Sequence, residues 1–308
     1  MAQASPVLVL GEALVDVVHQ AGEITEHVGG SPANVAFGLG RLDHDVALAA
    51  WFAKDDRGER IAAACRAAGV AIAAGSDRAP RTSVANAVVD EAGKASYQFD
   101  LSWILPMLPD LSRVRHLHTG SIGATLEPGG SQVVETLRRA AAHATVSYDP
   151  NARPTLMGSA ALVRARVEDI ISLSDVVKSS DEDVEWLYPG ESIADVVRGW
   201  LKLGPAVVVI TRGGDGAYLA LAEDEDLIEI PPNRVTVIDT VGAGDSFMAG
   251  LVSGLLDAGL LGGAEAKQRI RRATAQEVRP AVDRAIATSS LTVSKAGAYG
   301  PTRDEIGA

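Results

Sequence analysis

A run of small residues with one acid behind it, Gly242-Ala243-Gly244-Asp245, carries the clearest chemistry in the chain. The β-branched pair Val237-Ile238, read as the end of a strand, precedes it, followed by Asp239-Thr240-Val241. The apolar stretch Phe247 to Leu256 comes after it and reads as a helix. A glycine turn that opens a helix leaves main-chain N–H groups unblocked at the positive end of the helix dipole, which is an anion site. Asp245 stands where the first helical turn begins, where negative charge is favoured. A carboxylate beside a phosphate cradle suits phosphoryl transfer. Other chemistries fail on their own requirements. A dinucleotide fingerprint needs a third glycine where Phe247 stands, and a Walker A loop needs a Gly-Lys-Ser/Thr run that the chain lacks. Gly244-Asp245-Ser246 has the form of some serine-hydrolase nucleophile blocks, but these need a later histidine as base. All six histidines lie at or before His143.

A second small-residue run, Gly29-Gly30-Ser31-Pro32-Ala33-Asn34, opens an earlier helix, Val35 to Leu42. Ser31 and Pro32 read as an N-cap and a first helical residue, while two adjacent glycines let a ligand approach the backbone. Asn34 offers a donor and an acceptor, the pattern that matches vicinal hydroxyls. Asp16 sits among apolar neighbours, where an ionised carboxylate needs hydrogen-bond partners; sugar hydroxyls would supply them. Three further loops are marked: Asp149-Pro150-Asn151-Ala152-Arg153, Ser179 to Asp183, and Thr211-Arg212-Gly213-Gly214-Asp215-Gly216. Thr211 and Gly213 can donate to phosphate oxygens, and Asp183 with its acidic neighbours can hold a hydrated magnesium ion. Taken singly, each loop also reads as an ordinary turn.

What unites these loops is where the pattern puts them. Val7 to Leu10, Val46 to Trp51, Val114 to Thr119, Thr145 to Tyr148, Ser174 to Lys178 and Ala206 to Ile210 read as strands. Helical stretches at Glu59 to Ala68, Ser131 to His143, Asp181 to Leu187 and Ser192 to Leu203 lie between them. Such alternation predicts an α/β fold, a mostly parallel sheet between helices, with ligands outside the carboxyl ends of the strands. The loops fall there. Two segments break the alternation. Residues 12–28 and Thr82 to Trp103, the latter with a turn at Glu91-Ala92-Gly93-Lys94, read as hairpin-like and predict a small β-sheet lid. After the central helix, Gly262 to Glu277 reads as surface helix or loop, and Val278 to Val293 as a helix packed on the sheet. No repeat or long linker appears, so residues 1–308 are expected to form one domain with a lid.

Composition narrows the function classes. At 308 residues and 47% hydrophobic, the chain can bury a large core. Its 40 acidic against 28 basic residues, a formal net charge of −12, argue against a broad basic surface for nucleic acid or anionic membrane. One cysteine, Cys65, excludes an intrachain disulfide framework and a multi-cysteine zinc site. The first basic residue is Arg41, and the apolar stretch Phe247 to Leu256 is too short to cross a bilayer. A cytoplasmic protein is expected.

With these residues in hand, the chain resembles the ribokinase-like (PfkB) carbohydrate kinases, and within them the fructokinase-like branch. The N-terminal signature is matched by Gly29 to Ala36 and the C-terminal one by Asp239 to Phe247. Gly11-Glu12-Ala13-Leu14-Val15-Asp16, Asp149 to Arg153 and the ending Gly297-Ala298 to Pro301-Thr302-Arg303 are similar to the fructokinase-like members in particular. The resemblance implies a three-layer fold with a β-lid, magnesium-ATP as phosphoryl donor, and transfer to a primary hydroxyl of a small sugar, fructose first. It implies Asp245 as base and Gly242, Ala243 and Gly244 as the anion hole. Asp16, Gly29, Gly30, Asn34 and Arg153 fall on the sugar side, and Lys178, Ser180, Thr211, Gly213 and Gly216 on the nucleotide side. Ser180 and Asp183 stand at the family's Asn-x-x-Glu metal and phosphate motif, where both residues differ from the usual ones, and Ile286 stands where Asn or Cys is common. Potassium dependence and a homodimer through lid edges are left open by the residues. So are 2-keto-3-deoxygluconate, ribose or a nucleoside as acceptor, and a non-catalytic sensor of sugar or nucleotide.

Overall fold

The computed structural model describes residues 6–20, 22–89 and 95–307. In chain order the strands are β1 (Val7–Leu10), β2 (Leu14–Gln20), β3 (Glu23–Gly29), β4 (Val46–Ala49), β5 (Ala71–Ile72), β6 (Val84–Val89) and β7 (Ala95–Asp100). They continue with β8 (His116–Gly120), β9 (Thr145–Asp149), β10 (Val176–Ser180), β11 (Val207–Thr211), β12 (Ala217–Leu221) and β13 (Asp224–Ile230). Nine of them form the central sheet in the order β13-β12-β11-β10-β9-β8-β1-β4-β5. All neighbours from β11 to β5 are parallel, and β12 and β13 close one edge antiparallel. The remaining four form the lid, in the order β3-β2-β6-β7, with β2 and β6 parallel and the outer pairs antiparallel.

Parallel strands covered on both faces read as continuous apolar runs because neither face meets water. Val7, Val9, Leu48, Val176, Val207 and Val209 belong to one buried cluster, with side chains of helices Ser31–Arg41, Ala243–Asp257 and Ala275–Val293. Leu8, Leu10, Leu117, Val146, Val177 and Val208 belong to the other, with helices Gly129–Ala140, Ala160–Leu173 and Ile193–Leu203. The chain builds outward from β1 to β4 and β5 on one side, then from β8 to β11 on the other. The loops after β1 and β8 therefore part at a switch point, where a crevice opens beyond the carboxyl ends of the strands.

Several sequence expectations are corrected here. Val237 and Ile238 form no strand; the stretch 231–242 is irregular, and the two side chains are 59% and 66% exposed, so burial gives no reason for pairing. The helix expected from Phe247 begins at Ala243, and Gly30 rather than Ser31 is the N-cap of Ser31–Arg41. Helix Ala160–Leu173 has no counterpart in the sequence reading: Val163, Val167, Ile170 and Ile171 share one buried face, but further apolar residues off that face, such as Leu162 at 80% exposed, blur the pattern. Strand β13 was hidden by its acidic composition, Asp224 to Ile230. The turn expected at Glu91 to Lys94 lies outside the described residues. Among the described residues no helix is long and apolar enough to cross a membrane.

Helices Ala243–Asp257 and Ala275–Val293 pack closely because small residues line the contact. A β-carbon on Gly250 would lie 2.8 Å from the Ala285 α-carbon, and one on Gly254 would lie 2.6 Å from that of Ala281. Backbone cannot yield as a flexible side chain can. Gly250→Val is therefore expected to destabilise the fold by about 1–3 kcal/mol, the usual cost of overpacking, read as a lower urea midpoint.

On the face carrying Val7 and Val9, a polar stripe interrupts the apolar core. The side chains of His116 and His118 share the Ser147 hydroxyl at 3.0 and 2.9 Å, and His116 also meets Thr145 at 2.9 Å. Burial, and for His118 the nearby Lys178 charge, push both imidazoles down to about 3. An unfolded histidine takes up its proton near pH 6.5, so below that the unfolded chain binds more protons. Stability from these two groups is complete above about pH 6.5 and is lost as pH falls from there toward 3, by up to about 1.4 kcal/mol per pH unit for each group. His118→Gln should flatten the slope of unfolding free energy between pH 6 and 5 by close to one proton, measured by urea titration across pH.

Candidate active site

Asp245 is buried at the start of Ala243–Asp257, a helix whose N-cap, Gly242, is left-handed at φ 75° and whose first turn no side chain caps. The Ala243 N–H donates to the Thr240 carbonyl at 3.2 Å, while those of Gly242 and Gly244 have no acceptor among the described residues, as suits an anion at a helix start. The turn is pinned from behind. Asp239 accepts from the Val241 N–H at 3.0 Å and the Gly297 N–H at 2.8 Å, bonds that hold its carboxyl below the usual range. A β-carbon on Gly242 would meet that of Ala298 at 2.7 Å.

The carboxylate itself is gripped from helix Ser31–Arg41. Ser31 Oγ donates to one oxygen at 2.6 Å and Asn34 Nδ2 to the other at 2.8 Å. Ser31 is thus freed from the capping role the sequence suggested and bonds Asp245 instead. Its signal was in the spacing: positions 31 and 34 lie three apart and share a helical face. Asn34, read as a partner for sugar hydroxyls, spends one of its two amide hydrogens on Asp245 here.

Lys178 lies under the glycine turn. Its Nζ would be 3.0 Å from a β-carbon on Gly244, and it pairs with Asp149 at 2.9 Å, both side chains buried. Burial pushes Asp149 up to about 6, partly offset by Lys178 and reinforced by Asp183. Burial also works against the lysine's charge, but Asp149, Asp183 and Asp245 together raise Lys178 above its ordinary value. The short contact supports an ionised pair. Asp149 Oδ1 has no partner among the described residues.

Asp183 joins two loops. It accepts from the Ala152 N–H at 2.8 Å and, in a reciprocal cap with Ser180, from the Ser180 N–H at 3.1 Å. Thr211 Oγ1 donates to the Ser179 carbonyl at 3.3 Å. Gly213 is left-handed in open space, whereas Gly216 is bare for an internal reason: a β-carbon there would lie 2.1 Å from the Ile230 carbonyl of β13. Among the described residues no group of three or more His, Cys, Asp or Glu side chains could enclose a metal. Asp183 and the free oxygen of Asp149 do fit magnesium, which takes one or two carboxylates and otherwise waters and phosphate oxygens.

Asp16 stands on β2 opposite His27 of β3, its carboxyl raised by burial, an effect that the His27 and Arg153 charges partly offset. Gly30, at φ 105°, is required by the protein's own backbone, whereas beside Gly29 it is the Asp16 side chain that fills the space. A β-carbon on Gly29 would lie 2.1 Å from Asp16 Oδ2, and one on Gly30 would lie 2.5 Å from the Glu12 carbonyl oxygen. Arg153 folds back onto its own loop, donating to Asn151 Oδ1 at 2.7 Å and the Ala152 carbonyl at 2.9 Å. Its charge still reaches Asp16 and Glu12. Glu12, buried behind this site, had no role in the sequence reading beyond its place in a motif.

The pfkB family carbohydrate kinase model matches residues 7–305. A fructokinase of Rhizobium leguminosarum bv. trifolii is 34% identical over 81% of this chain and 79% of its own. Among solved structures, a Xylella fastidiosa fructokinase with bound ATP matches at TM-score 0.82 and 25% identity, covering 97% of this chain and 96% of its own. The aminoimidazole riboside kinase of Salmonella enterica, at TM-score 0.77 and 24% identity over 98% of each chain, shares the fold. A glycine turn over a buried lysine, an acid held between two helix starts and a family match along nearly the whole chain agree: this protein belongs to the pfkB family of carbohydrate kinases, phosphotransferases with an alcohol group as acceptor.

Proposed function

We propose that the protein transfers the γ-phosphoryl group of magnesium-ATP to a primary hydroxyl of fructose. The observation that carries this reading is the Asp245 carboxylate, fixed by Ser31 and Asn34 at the mouth of an uncapped glycine turn. The relatives described as fructokinases support fructose as the acceptor. Asp16, Gly29, Gly30 and Asn34 would line the sugar side with Arg153 at its edge. Lys178, Ser180, Thr211, Gly213 and Gly216 would line the nucleotide side. Asp183 would hold magnesium through water, with potassium a further cation to test.

When bound, magnesium-ATP supplies an activated phosphoryl group and a neutralising cation. The residues of the chain do the rest. Asp245 accepts the proton of the attacking hydroxyl, and its two fixed bonds leave the carboxylate no freedom to turn away. Phosphoryl transfer is loose in its transition state, so positioning and charge stabilisation dominate. The N–H groups at Gly242 and Gly244, with that of Ala243 shared with the Thr240 carbonyl and Lys178 beneath them, would meet the charge on the transferred group. Closure of the lid formed by β2, β3, β6 and β7 excludes water and so limits ATP hydrolysis.

Coupled detection of ADP, with a panel of fructose, ribose, 2-keto-3-deoxygluconate and nucleosides, tests the assignment; greater efficiency with any other acceptor would replace fructose. Asp245→Asn is expected to lower sugar-dependent ADP formation by roughly 10²-fold or more, the scale of a positioned general base. Near-full turnover by the purified variant would remove Asp245 from that role. Asp16→Ala should raise KM for fructose with little change in KM for ATP; equal losses on both would indicate damage to the fold or lid.

A further inference from the structure

One buried acid lies outside the machinery described so far. Glu12 follows β1 at the switch point and is only 7% exposed. Its Oε2 accepts from the Gly123 N–H at 2.7 Å, and the carbonyl of that same glycine accepts from Trp103 Nε1 at 2.8 Å. Trp103 comes three residues after β7, where the chain leaves the lid. Gly123 is therefore bonded on one side to the root of the lid and on the other to Glu12.

The main chain around Glu12 is equally tight. A β-carbon on Gly123 would lie 2.6 Å from the Gly11 α-carbon, one on Gly11 would lie 2.3 Å from Pro32 Cγ, and one on Gly30 would lie 2.5 Å from the Glu12 carbonyl oxygen. Three segments, 29–32, 11–13 and 121–124, are stacked with no room for a side chain between them. Ser121, whose side chain also bonds the Glu12 carboxylate, is held at φ 53°, a conformation serine rarely adopts without support.

We propose that Glu12 is a positioning residue of the acceptor site: through Gly123 its carboxylate clamps the root of the lid to the loop that carries Gly29 and Gly30. The inference rests on the acceptor-side reading given above. Burial raises the Glu12 carboxyl to about 7, and the charged group facing it among the described residues is Arg153, from the loop after β9. The other segments packed on it present Ser121, Gly123, Gly30 and Pro32, which carry no charge. The folded state holds the Glu12 proton more tightly than the unfolded chain, so ionised Glu12 costs stability above about pH 7, and that cost vanishes below the unfolded carboxyl's pKa. An acid kept where its charge weakens the fold is a mark of function.

The test compares wild type, Glu12→Gln and Trp103→Phe. For wild type, KM for fructose should rise as pH falls through about 7 while KM for ATP stays level. At pH 8 Glu12→Gln should raise KM for fructose about tenfold relative to KM for ATP, lose that pH dependence and melt at a higher temperature than wild type. A purely structural role gives a lower melting temperature with both KM values moving together, and that result, or an unchanged KM for fructose, overturns the clamp. Trp103→Phe should reproduce the KM shift, and the double variant should add little to either single one; additive shifts also overturn it. Deuterium uptake reads the clamp without catalysis: Glu12→Gln should raise exchange at residues 101–103 and 121–124 together. If wild type phosphorylates no sugar but this joint opening is seen, the fructokinase reading fails and the clamp stands. Unchanged exchange at both segments removes the clamp whatever the enzyme's substrate.

Discussion

The structure depends on one carboxylate held between two helix N-termini. Asp245 lies in the first turn of Ala243–Asp257 and takes its hydrogen bonds from Ser31 and Asn34, in the first turn of Ser31–Arg41. Both helix ends favour negative charge, so the acid is held in place by hydrogen bonds and helix ends rather than by a direct ion pair. This geometry requires the helices to approach closely, and they do: a β-carbon on Gly38 would lie 2.6 Å from the Ala249 β-carbon. Small residues along that contact are thus part of the geometry that holds Asp245.

The same site carries a costly feature below it. Lys178 and Asp149 form a buried ion pair at the ends of adjacent strands, where apolar residues of similar volume would often give an equally or more stable protein. Its place under Gly244 gives the charge a use. In the proposed function, a fixed cation next to main-chain donors would strengthen an anion site, and with an overall charge of −12 the attraction for a polyanion would have to be local. The histidine stripe that continues along the same sheet face keeps the interior polar without adding further charge, since both rings are neutral.

Around this centre the sheet provides rigidity and the lid provides closure. Strands β1, β8, β9, β10 and β11 deliver their loops to one edge because parallel connections always return the chain to the same end. The lid strands come from segments that leave β1 and precede β8, so the lid is rooted at the switch point itself. Among the described residues its buried cluster is small, Val15, Val17 and Val84, which suits an element that opens.

Sequence alone determined the fold class, the main strands, the lid segments and the family, because parallel strands buried on both faces leave uninterrupted apolar runs and two glycine-rich signatures mark the helix starts. It did not reveal helix Ala160–Leu173, whose buried face is blurred by exposed apolar residues such as Leu162, or strand β13, whose acidic residues mask its pattern. Nor could it tell why glycines are needed. Gly29 and Gly30 read as openings for ligand and Gly216 as a nucleotide-side residue, and the tertiary structure adds the protein's own Asp16 carboxylate, Glu12 carbonyl and Ile230 carbonyl in the space beside them. The bonds from Ser31 and Asn34 to Asp245 span 214 and 211 residues, and the contact of Glu12 with Gly123 spans 111. Local pattern carries periodicity and turn chemistry, but which distant side chains meet is decided only when the sheet brings its loops to a common edge.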